Sequence, residues 1–258
     1  MKPIASRDNP GFKDLRDLAR DARRQKREGR TLLDGPHLIA AALDHGAMPD
    51  LIAVSERAAA LPEILALLAR LPGVVPLCLR DALFDEISEL KTPVGILARI
   101  AVPSEPTLPI AGDCLLLDAV QDAGNVGTLL RTAAAAGVRD VLLGPGCAGA
   151  WTPRVLRAGQ GAHFALAIRE AVDLAAFLRA YGGQSVAAVA HGGQPLYQLD
   201  CSAPTAWLFG SEGGGIAPQL VALVKQRATI PLAPGSESLN VGAAAAVCLF
   251  EMRRQRTI

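Results

Sequence analysis

The sequence predicts an α/β protein of two domains, and three observations predict it. Short apolar runs alternate with amphipathic stretches along most of the 258 residues, the pattern of strands alternating with helices. Pro103, Pro106 and Pro109 interrupt that alternation and read as an extended linker over 103–110. The run Cys114-Leu115-Leu116-Leu117-Asp118 is apolar without alternation, as a central parallel strand covered on both faces is. The expected domains are therefore 1–102 and 111–258.

In the first domain, residues 13–29 predict a charged helix with a thin apolar stripe of Leu15, Leu18, Ala19 and Ala22. Pro36 suits the first position of a helix running to residue 43. Strands are expected over 51–54, 74–79 and 95–102. A helix over 62–71 should face inward through Leu61, Leu65 and Leu68. Another over 81–90 should be capped by Asp81.

In the second domain the 114–118 strand opens into a loop, and Asn125 is a suitable cap for the helix that follows to residue 136. Strands are expected over 138–143, 164–168, 185–190, 206–209 and 227–232. Helices are expected over 151–158, 173–181, 216–225 and 243–254, the last capped by Ser236 or Ser238. Phe209-Gly210-Ser211-Glu212-Gly213-Gly214-Gly215 packs four glycines into six residues around one carboxylate. Glycine lets a backbone approach a ligand closely, and ligands of open α/β sheets sit beyond the carboxyl ends of strands. Gly144-Pro145-Gly146-Cys147-Ala148-Gly149, with Glu170 beyond it, matches the spelling of a dinucleotide fingerprint. However, Pro145 removes an N–H from the turn, and the spacing to Glu170 spans a helix and a strand.

Composition excludes several classes. No apolar run reaches the length of a membrane-spanning helix, and the first residues lack the apolar core of a signal peptide, so a cytoplasmic protein is expected. Cys78, Cys114, Cys147, Cys201 and Cys248 are dispersed and read as free thiols. No metal-ligand spacing occurs among the histidines. Net charge is +1, but residues 1–30 carry Lys2, Arg7, Lys13, Arg16, Arg20, Arg23, Arg24, Lys26, Arg27 and Arg30 against five acids. That segment is either an electrostatic footprint for nucleic acid or a solvated helix face laced with i,i+4 pairs such as Asp17 and Asp21 against Arg20 and Arg24.

Three pieces converge: Asn125-x-Gly127-x-x-x-Arg131, Phe209-Gly210-Ser211-Glu212-Gly213, and Ile230-Pro231-Leu232 followed by Ser238-Leu239-Asn240-Val241. In this order and spacing they resemble the three motifs of the SpoU (TrmH-like) family of S-adenosylmethionine-dependent RNA ribose 2'-O-methyltransferases, within the SPOUT superfamily. Ser6-Arg7-Asp8-Asn9-Pro10 and Asp34-Gly35-Pro36-His37-Leu38-Ile39 resemble that family's N-terminal substrate-binding domain, which is related to ribosomal protein L30e. Arg157-Ala158-Gly159-Gln160-Gly161-Ala162 is similar to a further family stretch. Ala123, Leu232 and Gly242 depart from the usual residues, none at a position with a chemical role.

The resemblance implies a parallel-sheet catalytic domain closed by a deep trefoil knot, an L30e-like domain that binds RNA, and a homodimer. It implies donor contacts from Phe209, Gly210, Ile230, Leu232, Leu239 and Asn240, and a polar site of Arg131, Asn125, Glu212, Ser238 and Asn240. Arg131 would act on the ribose 2'-hydroxyl. Because a guanidinium stays protonated, it is read as a cation that stabilises the developing alkoxide or grips the neighbouring phosphate, with Ser238 aligning the hydroxyl. The expected substrate is structured RNA, ribosomal ahead of transfer RNA. Two alternatives remain at this level: a non-catalytic RNA-binding protein on the same fold, and an NAD-dependent enzyme using residues 144–149.

Overall fold

The computed structural model describes residues 3–257. The chain forms two compact units. The first runs to Ser104 and also takes Trp151–Phe164. The second comprises Glu105–Ala150 and the chain from Ala165 on. The excursion at 151–164 thus joins the first unit, whereas the contiguous sequence reading put it in the second.

In the first unit, α1 (Pro10–Arg20), α2 (Ala22–Glu28), β1 (Arg30–Asp34), α3 (Pro36–Asp44), β2 (Leu51–Ser55), α4 (Pro62–Ala69), β3 (Leu77–Leu79), α5 (Asp81–Ile87) and β4 (Ile96–Ala101) follow in order. The sheet order is β1-β4-β2-β3, with β4 antiparallel to both neighbours and β2 parallel to β3. Successive residues of a strand face opposite sides, and both sides are buried. Leu33, Ile52, Val54, Ile96, Ala98 and Ile100 enter one core, while Leu32, Ala53 and Leu97 enter another with Phe12, Leu15, Leu18 and Phe84.

Three local expectations are corrected in this unit. The helix expected over 13–29 is two helices, because Asp21 is extended and its side chain accepts from the N–H groups of Arg23 and Arg24, at 2.9 and 3.0 Å. This local competition with the helix ladder is typical of Asp. On α4 the inward residues are Ile64 and Leu67, with Leu71 just beyond its end, while Leu61 and Leu65 are exposed. Asp81 does not cap α5 but lies in its first turn and accepts from the Arg57 N–H.

The second unit contains β5 (Cys114–Asp118), α6 (Ala123–Ala136), β6 (Asp140–Leu143), β7 (Ala167–Arg169), α8 (Leu174–Ala180), β8 (Gln184–Ala188), β9 (Gln194–Pro195), β10 (Thr205–Gly210), α9 (Pro218–Val221), β11 (Gln226–Thr229) and α10 (Val241–Thr257). Helix α7 (Pro153–Gly159) falls in the 151–164 excursion. The strand order is β7-β6-β5-β10-β8-β11-β9, and all six pairings are parallel. The chain builds outward from β5 through β6 to β7, then returns on the other side through β8, β9, β10 and β11. The junction of the two halves, β5 against β10, is a topological switch point, where such sheets hold ligands. One face carries Leu116, Leu142, Ala206 and Leu208 under Leu174, Leu178 and Leu220. Helices α6 and α10 pack together, and the fully buried Trp207 donates from Nε1 to Met252 Sδ of α10 at 3.3 Å.

The helix expected over 216–225 is a single turn, α9. The linker is also less free than its prolines suggest. Arg169, paired with Asp140, donates to the carbonyls of Pro106 and Leu108, and Glu105 accepts from the Glu170 N–H.

Candidate active site

The ends of β10 and β8 and the segment entering α10 enclose a cleft of about 620 Å³, a size suited to a nucleoside-bearing ligand. Its walls are Ala188, Val189 and Ala190 after β8, Phe209 to Glu212 and Gly214 to Ile216 after β10, Ile230 and Leu232 after β11, and Ser238 to Val241 before α10. Eight of the residues singled out from the motifs line it: Phe209, Gly210, Glu212, Ile230, Leu232, Ser238, Leu239 and Asn240.

The glycine-rich loop folds back over its own strand. Ser211 and Gly215 exchange both backbone hydrogen bonds, at 3.1 and 2.9 Å, and a Cβ placed on Gly210 would overlap the Gly215 carbonyl. Only glycine fits where two backbones meet this closely. Asp118 lies across from Gly210 on β5 and fixes the loop's exit by accepting from the Ala217 N–H at 2.7 Å. No motif letter singled it out, although its position at a central strand end was visible.

The polar edge is a chain of amides. Asn125 donates from Nδ2 to Glu212 Oε1 and accepts through Oδ1 from Asn240 Nδ2 at 3.0 Å. Asn240 Oδ1 accepts from the N–H groups of Gly242 and Ala243. Two cap expectations change as a result. Asp122, not Asn125, caps α6, accepting from the Asn125 N–H at 2.8 Å, and this leaves the Asn125 side chain free to bridge the loops. Asn240, not Ser236 or Ser238, caps α10. Asn125 therefore stands behind the cleft rather than in its wall.

Arg131 is the motif residue the structure holds apart. It is exposed two turns into α6, makes no salt bridge among the described residues, and does not line the cleft. Helical side chains lean toward the N-terminus, which points it back toward the Asn125 end of α6.

The 144–149 segment serves β5 instead of a phosphate. Gly144 packs on the Leu117 carbonyl, the Cys147 thiol donates to the same carbonyl at 3.3 Å, and Ala148 donates to Val120 O. Glu170 accepts from the Ala150 N–H at 2.7 Å. In the first unit, Asp34 of the Asp34-Gly35-Pro36 stretch accepts from the Ser88 hydroxyl and the Glu89 N–H, and burial pushes its carboxyl above the usual range.

Apolar walls of Phe209, Ile216, Ile230 and Leu239, exposed strand-end backbone and one carboxylate form a donor set that fits an adenosyl group better than a polyphosphate, since no lysine or arginine among the described residues lines the cleft. Fold and cleft together define an α/β protein with a cleft fit for a nucleoside-type cofactor beyond the carboxyl ends of β8, β10 and β11.

Comparison with known proteins makes this class specific. The family model described as "SpoU rRNA Methylase family" matches residues 114–250, and that of the MRM3-like substrate binding domain matches 9–98. The Bacillus subtilis 23S rRNA (guanosine(2553)-2'-O)-methyltransferase RlmP is 33% identical over 98% of this chain and 100% of its own length. Two solved structures share the fold. An RNA methyltransferase of the TrmH family from Porphyromonas gingivalis has a TM-score of 0.81 at 32% identity, covering 95% of this chain and 97% of its own. The AdoMet-bound rRNA methyltransferase from Sinorhizobium meliloti has a TM-score of 0.85 at 28% identity, covering 98% and 97%. The chain belongs to the SpoU rRNA methylase family, and it is an S-adenosylmethionine-dependent RNA methyltransferase.

Proposed function

We propose that the protein methylates the 2'-hydroxyl of one ribose in ribosomal RNA. The observation that carries this reading is that the second and third motifs line one cleft, with Asn125 of the first joining Glu212 and Asn240 at its edge. Phe209, Gly210, Ile230, Leu232 and Leu239 would hold the adenosyl part of the donor, with Asn240 at the polar edge. The bound sulfonium supplies an already activated methyl group, so the protein contributes chiefly alignment and charge. Ser238 orients the hydroxyl. Arg131, with its guanidinium unengaged, grips the neighbouring phosphate or stabilises the oxygen as charge develops on it.

Residues 1–102 form the RNA-binding part of this reading, followed by the linker over 103–110 and the catalytic part over 111–258, out of which the 151–164 excursion joins the first unit. The knotted threading belongs to the same proposal, as does a homodimer. Ala243, Ala246, Val247 and Phe250 form one partly open stripe of α10, with Phe250 46% exposed, and a second copy would cover it. A solution mass near 26.9 kDa would overturn the dimer. No helix is long and apolar enough to cross a membrane among the described residues, which accords with a cytoplasmic site of action on RNA.

The test is transfer of labelled methyl from S-adenosylmethionine to unmodified ribosomal and transfer RNA. Label at one alkali-resistant position in ribosomal RNA is expected, and Arg131→Ala should lower the rate roughly 10²–10³-fold, the usual cost of removing one donor aimed at the transition state. Near-native turnover in Arg131→Lys would defeat the role given to the guanidinium fork.

A further inference from the structure

Methylation of a hydroxyl leaves a proton to be removed. As the oxygen lone pair forms the new O–C bond, the C–S pair returns to sulfur, the sulfonium becomes a neutral thioether, and the O–H proton must go to a base. The residues that line the cleft are apolar, glycine, serine or amide, with a single titratable side chain among them, Glu212. Arginine cannot accept a proton in this range. A serine hydroxyl relays a proton only if a base stands beyond it, and the Asn125 and Asn240 amides have no basic nitrogen and are already engaged with each other.

We propose that Glu212 is the general base, taking the 2'-hydroxyl proton on the carboxylate oxygen that Asn125 does not hold. This deepens the ribose-methylation reading and rests on it. Asn125 donates to Oε1, which fixes the plane of the carboxylate while no protein donor among the described residues binds Oε2. The residue is exposed at the cleft mouth, so the proton passes on to water after each turnover. The described groups of the same chain around it do not offer a rival. Asp118 is committed to the Ala217 N–H and Asp122 to the Asn125 N–H. Arg131 on α6, His191 beyond β8 and Glu237 before α10 lie outside the cleft lining. Asn125 is then a positioning residue acting through Glu212.

The test compares the full-length wild type with Glu212→Gln, which keeps an acceptor for Asn125 but cannot take a proton, and with Glu212→Asp. Donor affinity is measured by calorimetry with S-adenosylmethionine alone, and single-turnover methyl transfer to RNA is followed as a function of pH. Glu212→Gln should bind the donor within about twofold of wild type and transfer methyl roughly 10²–10⁴-fold more slowly, the usual span of general-base catalysis. The acid limb of the wild-type rate profile should disappear in Glu212→Gln and persist in Glu212→Asp. Unimpaired transfer by Glu212→Gln, an acid limb that survives in it, or loss of donor binding would each overturn the proposal, the last by making Glu212 a brace. A wild type that binds the donor but methylates no ribose would instead defeat the reading beneath it.

Discussion

The basic N-terminal segment and the cleft of the second unit make opposite uses of charge. Among the described residues, 3–30 carry nine lysines and arginines; Lys2 lies outside that range. Most are engaged: Arg7 with Glu86, Lys13 with Asp8, Arg16 with Asp17, Arg24 with Asp14 and Glu28, Arg27 with Glu28, and Arg30 with Asp50. The cleft has one titratable wall residue and a set of neutral amides. Charge density therefore marks a self-paired surface, where exposed pairs are screened by solvent and add little to stability. The cleft edge is where charge is scarce, with Glu212 beside amides and no cation among its described lining residues. Of the basic segment, Arg20, Arg23 and Lys26 form no salt bridge among the described residues, and they are what remains for a polyanion.

That contrast breaks most sharply at Gly210. Gly210→Ala puts a methyl group against the backbone of Gly215, and backbone cannot swing aside as a side chain can. Overpacking of this kind costs about 1–3 kcal/mol, so donor affinity should fall roughly 10–100-fold by calorimetry, while RNA binding by the first unit persists. Undiminished donor binding would mean that the loop does not shape the cleft.

A smaller effect sharpens the other side. Replacing Arg20, Arg23 and Lys26 together by glutamine should leave donor binding unchanged and reduce the dependence of log affinity for RNA on log salt by roughly 2–3, about 0.7–0.9 for each phosphate left without its cation. If an equal number of paired cations, Arg7, Arg16 and Arg30, gave the same reduction, pairing would not decide which side chains meet RNA.

The smallest effect tests whether a charge can be structural inside the second unit. Hydrogen bonds from Arg254 and Gln255 hold the Glu251 carboxyl down to about 2 from 4.5. A carboxyl depressed by folding contributes stability above its unfolded value, and that contribution is lost as pH falls through its folded value. Urea midpoints should therefore decline more between pH 5 and about 2 in wild type than in Glu251→Gln. Parallel declines would show that the interaction adds no pH-dependent stability.

Much of the architecture was legible in the residues. The unbroken apolar run at 114–118 became the central strand β5, and the glycines around Glu212 became the cleft wall, because both signals are local: burial on two faces excludes polar residues, and close backbone approach excludes Cβ. Which side chain caps which helix was not legible. Asp122 and Asn125 are both competent caps, as are Ser236, Ser238 and Asn240, and spacing does not choose between them. The inward face of α4 was misplaced for a related reason. Nearly every position there is apolar, so periodicity could not tell Ile64 and Leu67 from Leu61 and Leu65.

The sequence by itself determined the family, the α/β alternation and the glycine-rich strand ends that line the cleft, since each is written in short stretches whose chemistry is intrinsic. Only the tertiary structure decided what those residues do to one another. Asn125 meets Glu212 across 87 positions and Asn240 across 115, and the 151–164 excursion belongs to the first unit. Pairings of that separation are set by how the sheet folds back on itself, and no local spacing encodes them.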